Sequence, residues 1–250
     1  MWEWAQELSA AFGWGFLAAS SLIIGGLIAL RVPISKLALG LIMAFGAGVL
    51  ISAVAYELVL EGYTTSAGSG GVALGLLAGA ATFFAGDMAI DLFGGENRKR
   101  SNGAQAGGSA LAIVLGTVLD GIPESIVLGI SLLGGGGVAV AVVAAVFLSN
   151  LPEAIAATTG LKASGWRPAR IMGLWLMVAL VSAISAAAGY AFLDGASPRT
   201  IAFVNAFAGG AILTMLADTM MPEAFEHSGK LVGLVTTLGF LTAFALTTLE

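Results

Sequence analysis

The chain has 250 residues, of which 58% are hydrophobic and only 10% charged, and its mean hydropathy is +0.97. Soluble domains carry about 25% charged residues, so this chain has too little polar surface to cover a globule, and lipid is the solvent for most of it. Fifteen acids against ten bases give −5, a charge unsuited to nucleic acid, and the absence of cysteine excludes disulfides, thiolate metal sites and cysteine nucleophiles.

A bilayer core of about 30 Å needs about 20 apolar residues per helix. Charge-poor runs of that length predict eight spans, near 8–30, 37–58, 71–93, 109–133, 138–160, 170–193, 199–221 and 230–249, in one transmembrane domain covering 1–250. The start, Met1-Trp2-Glu3-Trp4, has no basic segment ahead of the first apolar run, so that run is expected to be retained as a helix. A short loop, 94–108, carries Arg98, Lys99 and Arg100, and Gly134 to Gly137 break the fourth run from the fifth. Arg31 and Lys36 follow the first span; Lys162, Arg167 and Arg170 follow the fifth; Lys230 follows the seventh. All bases except Arg199 therefore fall on one side, which the positive-inside rule makes cytoplasmic, with both termini outside.

The second and seventh spans share a pattern. Ala44-Phe45-x-x-Gly48-x-Leu50-Ile51-Ser52 matches Ala206-Phe207-x-x-Gly210-x-Ile212-Leu213-Thr214, and at the same spacing Glu61 falls on Glu223. Gly71 and Gly75 match Gly229 and Gly233 more weakly. This predicts an inverted repeat of helices 1–3 and 6–8 around helices 4–5, an arrangement that transporters use.

Nine acids lie in the spans or at their ends: Glu57, Glu61, Asp87, Asp91, Asp120, Glu124, Glu153, Asp218 and Glu223, with no Lys or Arg among them. An ionisable group at mid-bilayer costs about 2.5–3.5 kcal/mol on insertion scales, so each needs protonation, a partner or a cation. Three follow proline, as Pro123-Glu124, Pro152-Glu153 and Pro222-Glu223. Proline within a helix frees the carbonyl four residues earlier, here those of Leu119, Leu148 and Asp218, so an open carbonyl accompanies each carboxylate.

Asp120 and Glu124 are i,i+4 and share a helical face; Asn150 and Glu153 are i,i+3 and share another. The glycine break makes these two helices antiparallel neighbours, so the faces can converge into an oxygen-rich set for a divalent cation. Glu57 and Glu61 then stand at the outer mouth, and Asp87, Asp91, Asp218 and Glu223 toward the inner one, an access and release path for cations. Asp87 and Asp91 alternatively pair with Arg98 to Arg100, and Glu57 and Glu61 alternatively form a solvated rim. His227 reads as an interfacial surface residue.

On these residues the chain resembles the ZIP (Zrt/Irt-like) family of metal ion transporters, bacterial type, over essentially its whole length. Asp120-Gly121-Ile122-Pro123-Glu124-Ser125 and Ser149-Asn150-Leu151-Pro152-Glu153-Ala154 look like the family's paired His-Asn-x-Pro-Glu-Gly and His-Glu/Asp-x-Pro-Glu signatures, and Pro222-Glu223-Ala224 looks like a further family segment. The resemblance implies a transport site with Glu124 and Glu153 as central ligands, Asp120 where a His usually sits, and Asn150 where an acid or His often sits. The motifs here have no histidine, and Ser182 stands near where some bacterial members carry a Glu, which leaves one or two bound ions open. Carboxylate, amide and carbonyl oxygens favour harder ions such as Mn²⁺ or Mg²⁺, with Fe²⁺ between, more than the family label's zinc, and Zn²⁺, Mn²⁺, Fe²⁺ and Cd²⁺ are the candidate cargoes.

The expectation is thus an all-α, polytopic protein of the cytoplasmic (inner) membrane that carries divalent metal cations inward, with no enzymatic activity and no resident cofactor. Its partners would be the lipid bilayer and the metal, not nucleic acid, with a homodimer left open. Two other classes compete: an intramembrane aspartyl-type enzyme using Asp87 or Asp120, and a transporter-derived metal sensor or proton-linked carrier of another cation.

Overall fold

A computed structural model describes residues 2–66, 70–95, 110–133 and 140–248. Without water to satisfy backbone groups, an apolar chain in lipid must close its hydrogen bonds within helices, and the described residues are all-helical. They form α1 (Trp2–Arg31), α2 (Lys36–Thr65), α3 (Gly71–Gly94), α4 (Ala110–Ile130), α5 (Val140–Ala163), α6 (Pro168–Leu193), α7 (Pro198–Ser228) and α8 (Leu231–Thr247). Six of these, α1, α2, α3, α5, α6 and α7, are long and apolar enough to cross a membrane. Helix α8 is apolar but has 17 residues, and α4 carries Asp120 and Glu124 through its second half. The Arg98–Arg100 run and the Gly134–Gly137 break lie outside the described residues.

Local chemistry sets the helix starts. Ser35 accepts a hydrogen bond from the Ala38 amide at 3.2 Å, and Ser197 accepts one from the Thr200 amide at 3.2 Å, each capping the helix that follows. Pro168 and Pro198 occupy first-turn positions, where no donor is lost. Helices α2 and α7 both run beyond the spans expected at 37–58 and 199–221. Each passes through a wide π-type turn, Val54–Leu60 in α2 and Leu216–Met220 in α7, and then resumes as α-helix through its charged end. Acids that end an apolar run in sequence do not end the helix.

Helix α5 lies most enclosed and α3 most peripheral. Helix α1 packs along α6 and α5; α2 along α8, α5 and the end of α7; α3 along α7; and α4 along α6. Small residues set these approaches, as expected where dispersion rather than water drives helix association. Gly48 of α2 sits on the Thr236 carbonyl of α8, and Gly239 of α8 on the Phe45 carbonyl of α2. Gly210 of α7 sits on the Leu76 carbonyl of α3, and Gly79 of α3 on the Phe207 carbonyl of α7. In every case an added Cβ would fall far inside 3.0 Å of the facing oxygen.

One core, from α2, α5 and α7 with parts of α4 and α8, contains Leu50, Val54, Val127, Val146 and Ile212. A second joins α1, α5 and α6 around the fully buried Trp175, whose indole Nε1 donates to Thr158 Oγ1 at 2.8 Å. Lys162 Nζ donates to the Leu30 carbonyl at 3.2 Å, and Ser228 Oγ to the Leu37 carbonyl at 3.0 Å. These bonds gather Arg31, Lys36, Lys162 and Lys230 at one end of the bundle. Arg170 stacks there over Trp166, 3.9 Å from the ring centroid.

Candidate cation pathway

At the end opposite Arg31, Lys36, Lys162 and Lys230, α2, α4, α5 and α7 enclose a cavity of about 290 Å³. Its walls include Glu57, Glu61 and Thr65 of α2, Ser131 just past α4, and Ile201 and Asn205 of α7. The wide turn at Val54–Leu60 carries Glu57, and the α-helix after it carries Glu61. Glu57 is half-buried and Glu61 exposed. Glu57 Oε1 and Asn205 Oδ1 are buried atoms with no hydrogen-bond partner among the described residues.

Val127 and Val142 wall this cavity and also a much smaller void of about 20 Å³ deeper in the bundle. Among the described residues Glu124 is the single charged one lining that void, amid Leu50, Val54, Leu58, Val146 and Ile212. A third void, about 10 Å³, is lined by Glu153 with Met43, Ala156, Met215, Thr219 and Met220. Carboxylates thus line three successive spaces, and apolar side chains surround the inner two.

The three prolines stand within or at the start of helical segments, where each lacks a backbone donor. Pro123 and Pro152 lie inside α4 and α5, and Pro222 follows the wide turn of α7. Asp120, Glu124 and Asn150 are buried, at 3%, 2% and 6% exposure, and Glu153 is half-buried. Ser125 Oγ donates to the Gly121 carbonyl at 2.7 Å, and Gly121 lies close to Ser182 Oγ of α6. The Leu148 carbonyl released by Pro152 faces Gly46 of α2, where an added Cβ would be 3.2 Å away.

The two acid-bearing faces are not gathered into one cluster. Among the described residues, no three His, Asp or Glu side chains lie close enough to hold a metal ion together. Helix α4 meets α6 along most of its length, with the Ile126 carbonyl against Gly189 and Gly129 against the Ala186 carbonyl, while α5 is wedged between α1 and α2. Glu124 and Glu153 consequently line different voids.

Of the flanking acids, Asp87 and Asp91 are half-buried on α3 and Asp218 is exposed in the wide turn of α7. Glu223 is buried, and its Oε1 lies 3.4 Å from His227 Nε2. His227 is not a surface side chain. Its imidazole is nearly buried because Gly40 of α2 leaves room for α7 to press against it. Sequence patterning singled out neither Asn205, the lone amide in the apolar first half of α7, nor the methionines about Glu153. A polar residue within the Ile201–Leu213 run is the one signal that marks Asn205 in advance.

Compared with family models and with curated proteins, the chain finds no match.

Proposed function

We propose that this multi-pass helical protein carries divalent metal cations across a membrane, as the likeness of its Pro-Glu motifs to the ZIP family suggests. The observation that supports this most strongly is the succession of carboxylate-lined spaces, from Glu57 and Glu61 through Glu124 to Glu153, inside a chain whose helices suit lipid. An anion gains nothing from such a file, and an apolar solute has no need of it. With the basic end cytoplasmic, the large cavity faces outward and the methionine-lined void inward. The cation leaves past Asp218 and Glu223, with Asp87 and Asp91 nearby.

In this reading α4 and α8 also span, giving eight spans, and helices 1–3 and 6–8 form an inverted repeat. Several features support the repeat at one spacing of 162. The caps Ser35 and Ser197 correspond, as do the wide turns beginning at Val54 and Leu216. The glycine contacts are reciprocal: Gly48 on Thr236 answers Gly210 on Leu76, and Phe45 on Gly239 answers Phe207 on Gly79. These contacts align α3 with α8 through Gly79 and Gly239, a register two residues away from the Gly71–Gly229 match. Two similar units flanking α4 and α5 have the means to rock about them, and that motion brings Asp120, Glu124, Asn150 and Glu153 around one ion in turn. Among the candidate cargoes Zn²⁺, Mn²⁺, Fe²⁺ and Cd²⁺, the oxygen donors favour the harder ions, whereas the thioethers of Met43, Met215 and Met220 beside Glu153 favour softer ones.

Proteoliposome uptake of ⁵⁴Mn and ⁶⁵Zn tests the proposal. Purified protein should accumulate one or both, and a Glu124→Gln, Glu153→Gln pair should abolish uptake while eluting as a folded protein. Full uptake by that double variant would remove both residues from the path.

A further inference from the structure

The cavity and the void behind it differ in size by more than tenfold, and this separates two tasks. The 290 Å³ cavity accommodates a divalent ion with waters still around it, whereas the roughly 20 Å³ at Glu124 has room for about one water and none for a hydration shell. The cavity also contains a polar side chain with no structural task. Asn205 is only 7% exposed, it lines the cavity, and its Oδ1 accepts no hydrogen bond among the described residues. A buried amide oxygen left unsatisfied destabilises the fold, so an apolar residue would serve packing better at this position. Facing it across the same cavity is Glu57, whose Oε1 is likewise unpartnered, with Glu61 one helical turn further toward the solvent.

We propose that Glu57, Glu61 and Asn205 form a loading site for a hydrated divalent cation, distinct from the Glu124 space. The site rests on the transport reading for its biological sense, but not for its existence. Two carboxylates and an amide oxygen are hard donors, and the remaining coordination positions stay with water. Such a site ranks ions by charge and ligand type and does so weakly. The ranking by willingness to lose water falls at the Val127–Val142 wall, where the ion must shed its shell to reach Glu124. Mg²⁺ dehydrates reluctantly, so it occupies the loading site and goes no further. It acts there as a competitor rather than a cargo.

Mn²⁺ binding to the purified full chain in lipid nanodiscs, followed by electron paramagnetic resonance, reads the site without any flux. The expected result is a class of bound Mn²⁺ that excess Mg²⁺ displaces. A Glu57→Gln, Glu61→Gln pair should weaken that class about tenfold or more, Asn205→Ala should weaken it less, and Asn205→Asp should retain or tighten it. Glu124→Gln should leave it in place. Unchanged Mg²⁺-displaceable binding in the Glu57→Gln, Glu61→Gln pair, or loss of that binding in Glu124→Gln, would overturn the proposal. Asn205→Asp separates misfolding from ligand loss, since a collapsed cavity cannot be rescued by a stronger ligand. If wild type binds Mn²⁺ in this class yet moves no metal into liposomes, transport fails and the loading site stands. If uptake occurs with binding indifferent to Glu57 and Glu61, the reverse holds.

Discussion

Replacing Gly48 or Gly210 by alanine tests two close helix approaches on which the proposed repeat depends. At each position the new methyl would be driven into a facing backbone carbonyl, that of Thr236 or Leu76, far inside the 3.4 Å at which ordinary contact begins. A carbonyl in a helix cannot swing aside as a side-chain tip would, so the two helices must part by about an ångström. Overpacking of this kind costs about 1–3 kcal/mol. The two contacts have the same form, so the two substitutions should cost similar amounts. Gly13 and Gly173 supply the control, since an added Cβ there meets nothing within 4 Å and alanine improves helix propensity by up to about 1 kcal/mol. Thermal unfolding of detergent-solubilised protein, followed by tryptophan fluorescence, reads the difference. Gly48→Ala and Gly210→Ala should each lower the apparent Tm by about 2 °C or more, with Gly13→Ala and Gly173→Ala at or above wild type. Equal melting of all four variants would refute the close approach, and a loss confined to Gly48→Ala or to Gly210→Ala would refute the equivalence of the two units.

Thr158→Val should cost about 0.6–1.7 kcal/mol because it strands the Trp175 indole N–H in a fully buried position, while Thr158→Ser keeps the acceptor and most of the stability; chemical denaturation of the two variants makes the comparison. The chain contains no cysteine, so single replacements give clean labelling. Glu61→Cys should react with a membrane-impermeant thiol reagent from the face opposite that which labels Lys230→Cys, and labelling of both from one face would remove the proposed orientation.

Much of the architecture was legible in the chain because lipid narrows the alternatives. Apolar runs of membrane length become helices, Ser35 and Ser197 mark where two of them begin, and Pro123 and Pro152 lie inside two more beside Glu124 and Glu153. The spacing of 162 was visible as residue matches before the caps, the wide turns and the glycine contacts fell at related positions. What periodicity conveys is the face of one helix, not the helix that will meet it. Asp120 and Glu124 were placed on one face correctly as i,i+4 residues, yet nothing in their spacing shows that α4 lies against α6. The wide turn at Val54–Leu60 has no proline to announce it, so the extension of α2 and the inward reach of Glu57 were hidden. Asn205 was overlooked for a similar reason, since an isolated amide has meaning only beside the acids of another helix. His227 was assigned to the surface by its neighbours in sequence, whereas Gly40, far away in the chain, leaves the room that buries it.

The pairing of α2 with α8 also bears on biosynthesis. Helix α2 emerges early from the ribosome, but the surface that receives Gly48 and Tyr56, including Thr236, Phe240 and Phe244, is made only after α3 to α7. During that interval the notched face of α2 must be sheltered by lipid or by the insertion machinery, with Glu57 beside it. Helix α2 therefore cannot complete its packing before α8 docks. A fault in α8 would thus be felt on α2, near the opposite end of the chain, and quality control would meet an α2 face still open long after that helix was made.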